Sequence, residues 1–483
     1  VLPARRFFFA CRASAARVKA APRAQLVVWF ATWGLLQLVF ITVPTWLRAH
    51  AFGFSNYDFG IYSQAISRLA LDPPNPWLSG RQLFLFNDHF DPILFLTVPF
   101  AKVLPGAEVG LGFEALAALS SLLALGWLMN EGRLSLRAGW LLGGLLALGV
   151  GVTQALGFPV HPTTWAMAPM AWLLAALLLE RWSVAMVALV LLFACKEEFP
   201  FVGLALAPYL FTRAPRRVAW AMTGLSLAWA VFAFVLRPRW FGDVMPYTSV
   251  PFRGAERGVL EFFAMRLSPG VLAGLGDLVV AFVPVAAWLA WTRQAPRREL
   301  LLVLAPLLGV RFFAMAWRDH YGAVVVAAAV LVVAALLDGR TPPGWVLIST
   351  FALLIITNEQ PLRRTVKALR GVQGWAASTG CSDPPGRVEA IARGLAAVRH
   401  APGPLFVSGN LLPWLAERDD VYAFGGPQPS TLAPRTVLLE RPPCGDTWAM
   451  SLADREALYA AWKGNPRAVP LVVEDAVLAV QLR

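Results

Sequence analysis

The spacing of the apolar blocks constrains this chain more than any other feature. The blocks run about 15 to 22 residues each, the length that crosses the hydrocarbon of a bilayer. Short arginine-rich loops separate them. The chain is 58% hydrophobic and 15% charged, whereas soluble domains carry about 25% charged residues. An all-α polytopic membrane protein follows. The formal net charge of +13 invites a nucleic-acid partner, but the arginines sit mostly between apolar blocks. There they act as topology signals and contacts with anionic membrane lipid, so the reading has no nucleic-acid partner. Four cysteines without a Cys-x-x-Cys pair are too few for a disulfide scaffold or a zinc ribbon.

Residues 1–25 form a basic arm that places the N-terminus in the cytoplasm. Leu26–Leu47 is too long for a signal-peptide core of about 7–15 residues and reads as an uncleaved first span. The outer loop, within residues 48–107, holds a helix over Asp58–Leu69 and a proline-rich turn at Asp72–Pro76. It ends in a short apolar helix, Pro92–Val103, expected to lie along the interface. Ten more apolar segments, from Glu108–Met129 to Trp345–Thr357, alternate across the membrane. They bring the count to about 11 spans within residues 26–357. Residues 358–483 change character. Strand-length runs at Pro404–Val407, Val421–Phe424, Thr436–Leu439 and Leu471–Val473 alternate with helical stretches at Arg387–Val398, Leu411–Glu417 and Asp454–Trp462. This is a small extracytoplasmic α/β domain, and a protein partner, if there is one, would meet the chain there. Cys381 and Cys444 fall in it, in a compartment where disulfides persist, and are expected to form a bridge.

The alternation carries Asp58, Asp88, His89, Asp91, His161, Lys196, Glu197, Glu198, Asp319 and His320 to one outer face. Ionisable groups at that depth are costly and usually functional. Each also has a structural reading. Asp58, Asp88 and Asp91 could cap helices, His161-Pro162 could open one, Lys196-Glu197-Glu198 could be a solvated turn, and Arg318–Tyr321 could anchor the interface. The histidines and carboxylates also leave a divalent metal open, although no two histidines stand four apart on one helix.

Asp58-Phe59-Gly60-Ile61 with Gln64, Asp88-His89-Phe90 with Pro92, His161-Pro162, Lys196-Glu197-Glu198 and His320-Tyr321 together resemble an uncharacterised bacterial membrane family, domain of unknown function 2079. The tail run from Leu412-Pro413 to Val421–Phe424 is similar to that family's end. Asp91 departs from the family's His-Phe-Ser-Pro pattern, which makes it a poor catalytic candidate, and Lys-Glu-Glu stands where Lys-Glu-Asp is common. That family in turn resembles the GT-C glycosyltransferases at fold level, an analogy that does not by itself fix function. The resemblance implies a bacterial inner-membrane glycosyltransferase that takes a sugar from a polyprenyl-phosphate donor at the outer face. In that reading Asp58 is the general base, with Asp88 and His89 positioned across the loop. Lys196 and Arg318 are the cations for the donor phosphate. Tyr57, Gln64, His161, Glu197, Glu198, His320 and Tyr321 complete the substrate contacts. The competing readings are a transporter or flippase, and a non-catalytic envelope-assembly protein. A transporter would place its polar groups near the midplane in paired broken helices; here they gather at one face.

Overall fold

The computed structural model describes residues 19–54, 57–242, 258–292, 297–317, 319–358, 386–426, 431–441 and 450–483. Every apolar segment expected from the sequence is helical. In chain order the helices used below are α1 (Arg23–His50), α2 (Tyr57–Leu69), α3 (Gly106–Asn130), α4 (Leu136–Leu156), α5 (Pro162–Leu178), α6 (Trp182–Phe193), α7 (Arg216–Phe241), α8 (Pro269–Thr292), α9 (Leu304–Ala314), α10 (Asp319–Leu337) and α11 (Gly344–Thr357). Among the described residues six, namely α1, α3, α4, α7, α8 and α10, are long and apolar enough to cross a membrane, and α5, α6 and α11 are shorter apolar helices. The chain is a multi-pass membrane protein. Interruptions make the shorter segments short. The helix after α6 breaks between Ala205 and Ala207, one residue before Pro208, where a ring without an N–H breaks the ladder.

Helices α4 and α10 form the centre, with 83% of each apolar window buried. A helix that is apolar all round belongs inside a bundle. They meet backbone to backbone, because a Cβ added to Gly322 would stand 2.6 Å from Gly151 Cα. Trp29 of α1 reaches across to donate its indole N–H to the Gly139 carbonyl at 2.9 Å. The short apolar helix expected at Pro92–Val103 is present over Pro92–Ala101, as a 3-10 helix, Pro92–Thr97, continued by one α turn, Val98–Ala101.

Beyond the bundle, helix α12 (Arg387–Val398) packs on a five-stranded sheet. Its strands are β3 (Leu405–Val407), β4 (Val421–Ala423), β5 (Thr436–Glu440), β6 (Ala468–Val473) and β7 (Val477–Leu482), in the order β4-β3-β5-β7-β6. Strand β3 runs parallel to β4 and β5, while β7 lies antiparallel to β5 and β6. The sequence reading foresaw four of these strands and missed β7, and the helix expected at Leu411–Glu417 is a 3-10 helix, Gly409–Leu415. Cys381 and Cys444 lie outside the described residues.

This domain is seated on the outer loop. Gly60 of α2 leaves room for Leu412, whose Cδ2 would stand 2.6 Å from an added Cβ. Arg387 donates to the Ala51 carbonyl at 2.7 Å and Asn410 to the Phe52 carbonyl at 3.0 Å. The loop hairpin of β1 (Trp77–Leu78) and β2 (Leu83–Phe84) joins in, with the Ser79 hydroxyl donating to the Val421 carbonyl at 2.6 Å.

Candidate active site

The ends of several helices meet under this domain. Helix α2 brings Asp58 and α10 brings His320, whose Nδ1 lies 4.0 Å from Asp58 Oδ2. The loop between α4 and α5 brings His161, stacked on His320 with ring centres 3.7 Å apart and planes 4° from parallel. His161 is the N-cap of α5, its Nδ1 accepting the Thr163 N–H at 3.1 Å. Its own backbone N–H donates to Glu114 of α3 at 2.9 Å. His161-Pro162 therefore does open α5, and the cap sits inside the cluster.

The other charges are arranged in pairs. Arg81 grips Asp88 with two bonds, 2.8 Å and 2.6 Å, and Arg237 of α7 donates to the Asp88 carbonyl at 3.3 Å. His89 Nδ1 lies 3.1 Å from Glu197. Glu198 pairs with Arg311 of α9. Lys196 is 5% exposed. Among the described residues it forms no ion pair; its Nζ lies 5.5 Å from the Tyr321 ring, which Arg311 also faces at 4.2 Å.

Burial raises the Asp58 pKa, against the lowering pull of Lys196, His89 and Arg81. Its side chain keeps 32% of its surface exposed, so it is reachable although protein surrounds it. Burial would raise Glu197 too, but the charge and hydrogen bond of His89, with Lys196, hold it well below the usual carboxylate range. Burial, then the charges of His320, Lys196 and His89, hold His161 well below the ordinary histidine value.

Asp58, His161 and His320 each offer one ligand atom, all within 4.8 Å of one another, a set that could hold a divalent cation. As arranged, it suits hydrogen bonding better. His161 Nδ1 is an acceptor, so the proton of the neutral ring sits on Nε2. The in-plane lone pairs of two parallel rings also do not converge on one point, as tetrahedral coordination requires.

Several sequence candidates have their side-chain hydrogen bonds outside the Asp58, His161 and His320 group. Gln64 is 1% exposed and bridges to the C-terminal domain, bonding Ser79 at 2.7 Å and the Arg418 carbonyl at 2.8 Å. Tyr57 donates its hydroxyl to the Gly80 carbonyl. Arg318 lies outside the described residues. Asp91 makes no capping bond with its side chain; it is fully buried and takes the Tyr62 hydroxyl at 2.9 Å, which corrects the cap expectation. Arg81, Glu114 and Arg311 were missed. Glu114 and Arg311 carried a readable signal, a lone charge inside an apolar run; Arg81 carried none, being one more arginine in a loop.

A family model described as "Predicted membrane protein (DUF2079)" matches residues 48–313, more than half of the 483-residue chain. The chain belongs to this family. No curated protein matches it. Two solved structures are similar to this DUF2079 chain. The mycobacterial arabinofuranosyltransferase AftD is 14% identical at a TM-score of 0.49, with 96% of this chain and 42% of that one covered. ArnT from Cupriavidus metallidurans in the apo state is 13% identical at a TM-score of 0.49, with 95% and 97% covered. The DUF2079 chain thus spans less than half the length of AftD, and likenesses at this level carry no argument about its chemistry.

Proposed function

We propose that the chain is a membrane glycosyltransferase that moves a sugar from a polyprenyl-phosphate donor to a hydroxyl acceptor at the outer face of the bacterial inner membrane. One observation carries the reading. Among the described residues Lys196 is a buried cation without an ion-pair partner, close enough to Asp58 to act on its charge. A buried ammonium is costly unless something anionic answers it, and lysine binds phosphate as a point charge. The Asp58 and Glu197 carboxylates answer it only at longer range, and a lipid phosphate arriving from the membrane would supply the contact anion. Asp58, accessible and raised toward neutrality by burial, is the base that takes the acceptor proton. Asp88, held by Arg81, is the weaker candidate for that task.

The test uses purified protein in liposomes. Lys196→Ala is expected to weaken binding of undecaprenyl phosphate at least tenfold, while Asp58→Asn binds it as wild type does. In single-turnover assays with undecaprenyl-phosphate monosaccharides, Asp58→Asn is expected to lose about 100-fold or more in rate. Full transfer by Asp58→Asn would remove it as the base, and unchanged lipid binding by Lys196→Ala would remove the phosphate reading.

A further inference from the structure

His320 is 5% exposed, and neither of its ring nitrogens makes a hydrogen bond among the described residues. A neutral imidazole carries one N–H and one lone pair, and leaving either unmade in a buried site is costly. The His161 ring lies flat against it. Two bonds fix His161 in turn, from its backbone N–H to Glu114 and from the Thr163 N–H to its ring. His320 is therefore held with Nδ1 toward Asp58, 4.0 Å from Oδ2. That gap is too long for a direct hydrogen bond, and an N–H on Nδ1 is what the facing carboxylate favours.

An oxygen about 2.8 Å from both atoms fits the gap at an angle of about 90°, close to the angle between the O–H and a lone pair of a hydroxyl. Such an oxygen would accept from Nδ1–H and donate to Asp58. A phosphate oxygen cannot do both, because it brings no proton to give the carboxylate. We propose that His320 is a catalytic residue that positions the acceptor, with Asp58 and the His320 Nδ1–H holding the nucleophilic hydroxyl between them. This rests on the transferase reading. The hydroxyl proton passes to Asp58 as the oxygen forms its bond to the anomeric carbon. The bond from that carbon to the donor phosphate oxygen breaks, and its electron pair leaves on the phosphate beside Lys196. Asp88 and His89 suit the role less, since each is held in an ion pair, with Arg81 and with Glu197.

Nitrogen-15 solid-state NMR of histidine-labelled protein in liposomes tests the geometry without any substrate. The chain has 5 histidines, so His320→Asn identifies its signals. A protonated Nδ1 is expected; a bare Nδ1 overturns the proposal. The second arm uses undecaprenyl-phosphate monosaccharides as donors and octyl glucoside as acceptor. An asparagine amide stands near Nδ1 and a glutamine amide near Nε2. His320→Asn should keep transfer within about tenfold of wild type, and His320→Gln should lose about 100-fold, with the loss in acceptor kcat/KM and donor KM unchanged. Equal loss in both, or better transfer by His320→Gln, overturns it. Absence of transfer by wild type with every donor would instead count against the transferase reading, and the NMR result would still decide which nitrogen faces Asp58.

Discussion

Asp91 is fully buried beside the Tyr62 hydroxyl, and burial, against the pull of His89, pushes its pKa up to about 7. The folded chain therefore holds a proton that the unfolded chain releases near pH 4. Stability should fall as pH rises from about 4 to about 7 and level off above that. Asp91→Asn should flatten this slope, as read from thermal unfolding in detergent across that range; an unchanged slope would mean that Asp91 titrates normally. Arg81 and Lys196 make a contrasting pair. Arg81→Ala removes the two-bond partner of the buried Asp88 carboxylate and should cost about 3 kcal/mol, whereas Lys196→Ala removes a cation with no ion-pair partner among the described residues and should lower the thermal midpoint less. Equal losses in both would make Lys196 structural. At this scale the sequence pointed to Asp58, His161 and His320 together but not to who pairs with whom. Glu197 meets His89 across 108 positions of chain, and nothing local marks that contact.

The helices are legible because their apolar runs are long, and their joins are not. The Gly151–Gly322 contact puts backbone against backbone, so Gly322→Ala has nothing flexible to push aside. It should cost about 1–3 kcal/mol and displace His320, two residues away. Wild-type stability in denaturant titration would refute the close approach. At Gly60 the obstacle is the end of the Leu412 side chain. Gly60→Ala should destabilise the chain, and adding Leu412→Ala should recover part of the loss, with a coupling of about 0.5–3 kcal/mol. Strictly additive losses would place the two sites apart. The same contact explains why Gln64 misled the sequence reading. A glutamine beside an aspartate on an outer helix looks like a substrate group until a domain more than 300 residues later folds over it. Strand β7 escaped notice because only its pairing with β5 and β6 distinguishes it from a tail.

Across the whole molecule the two ends of the bundle differ. Asp58, His161, Lys196 and His320 meet at one end. At the other, Arg133 and Arg297 flank Asp338 at 3.8 Å and 3.9 Å, and Arg137 bonds the Pro342 carbonyl. The gathering of Asp58, His161, Lys196 and His320 was legible from the alternation along the chain; that Arg81, Arg237 and Arg311 join them, and that Arg133 and Arg297 flank Asp338 at the other end, was not. The C-terminal domain bonds to the site loop, so both lie on the same side. A tag after residue 483 should be labelled in spheroplasts without lysis, and labelling only after lysis would reverse the orientation. Helix α6 has a further consequence. Its 12 residues span about 18 Å, against a hydrocarbon thickness of about 30 Å, and Val184, Val187 and Val190 form its exposed face. A helix this short that crosses the bilayer is matched by local thinning, among other adjustments. On the proposed transferase reading, such thinning would bring the headgroup plane toward Lys196, three residues past the helix end, and with it the phosphate of a lipid donor.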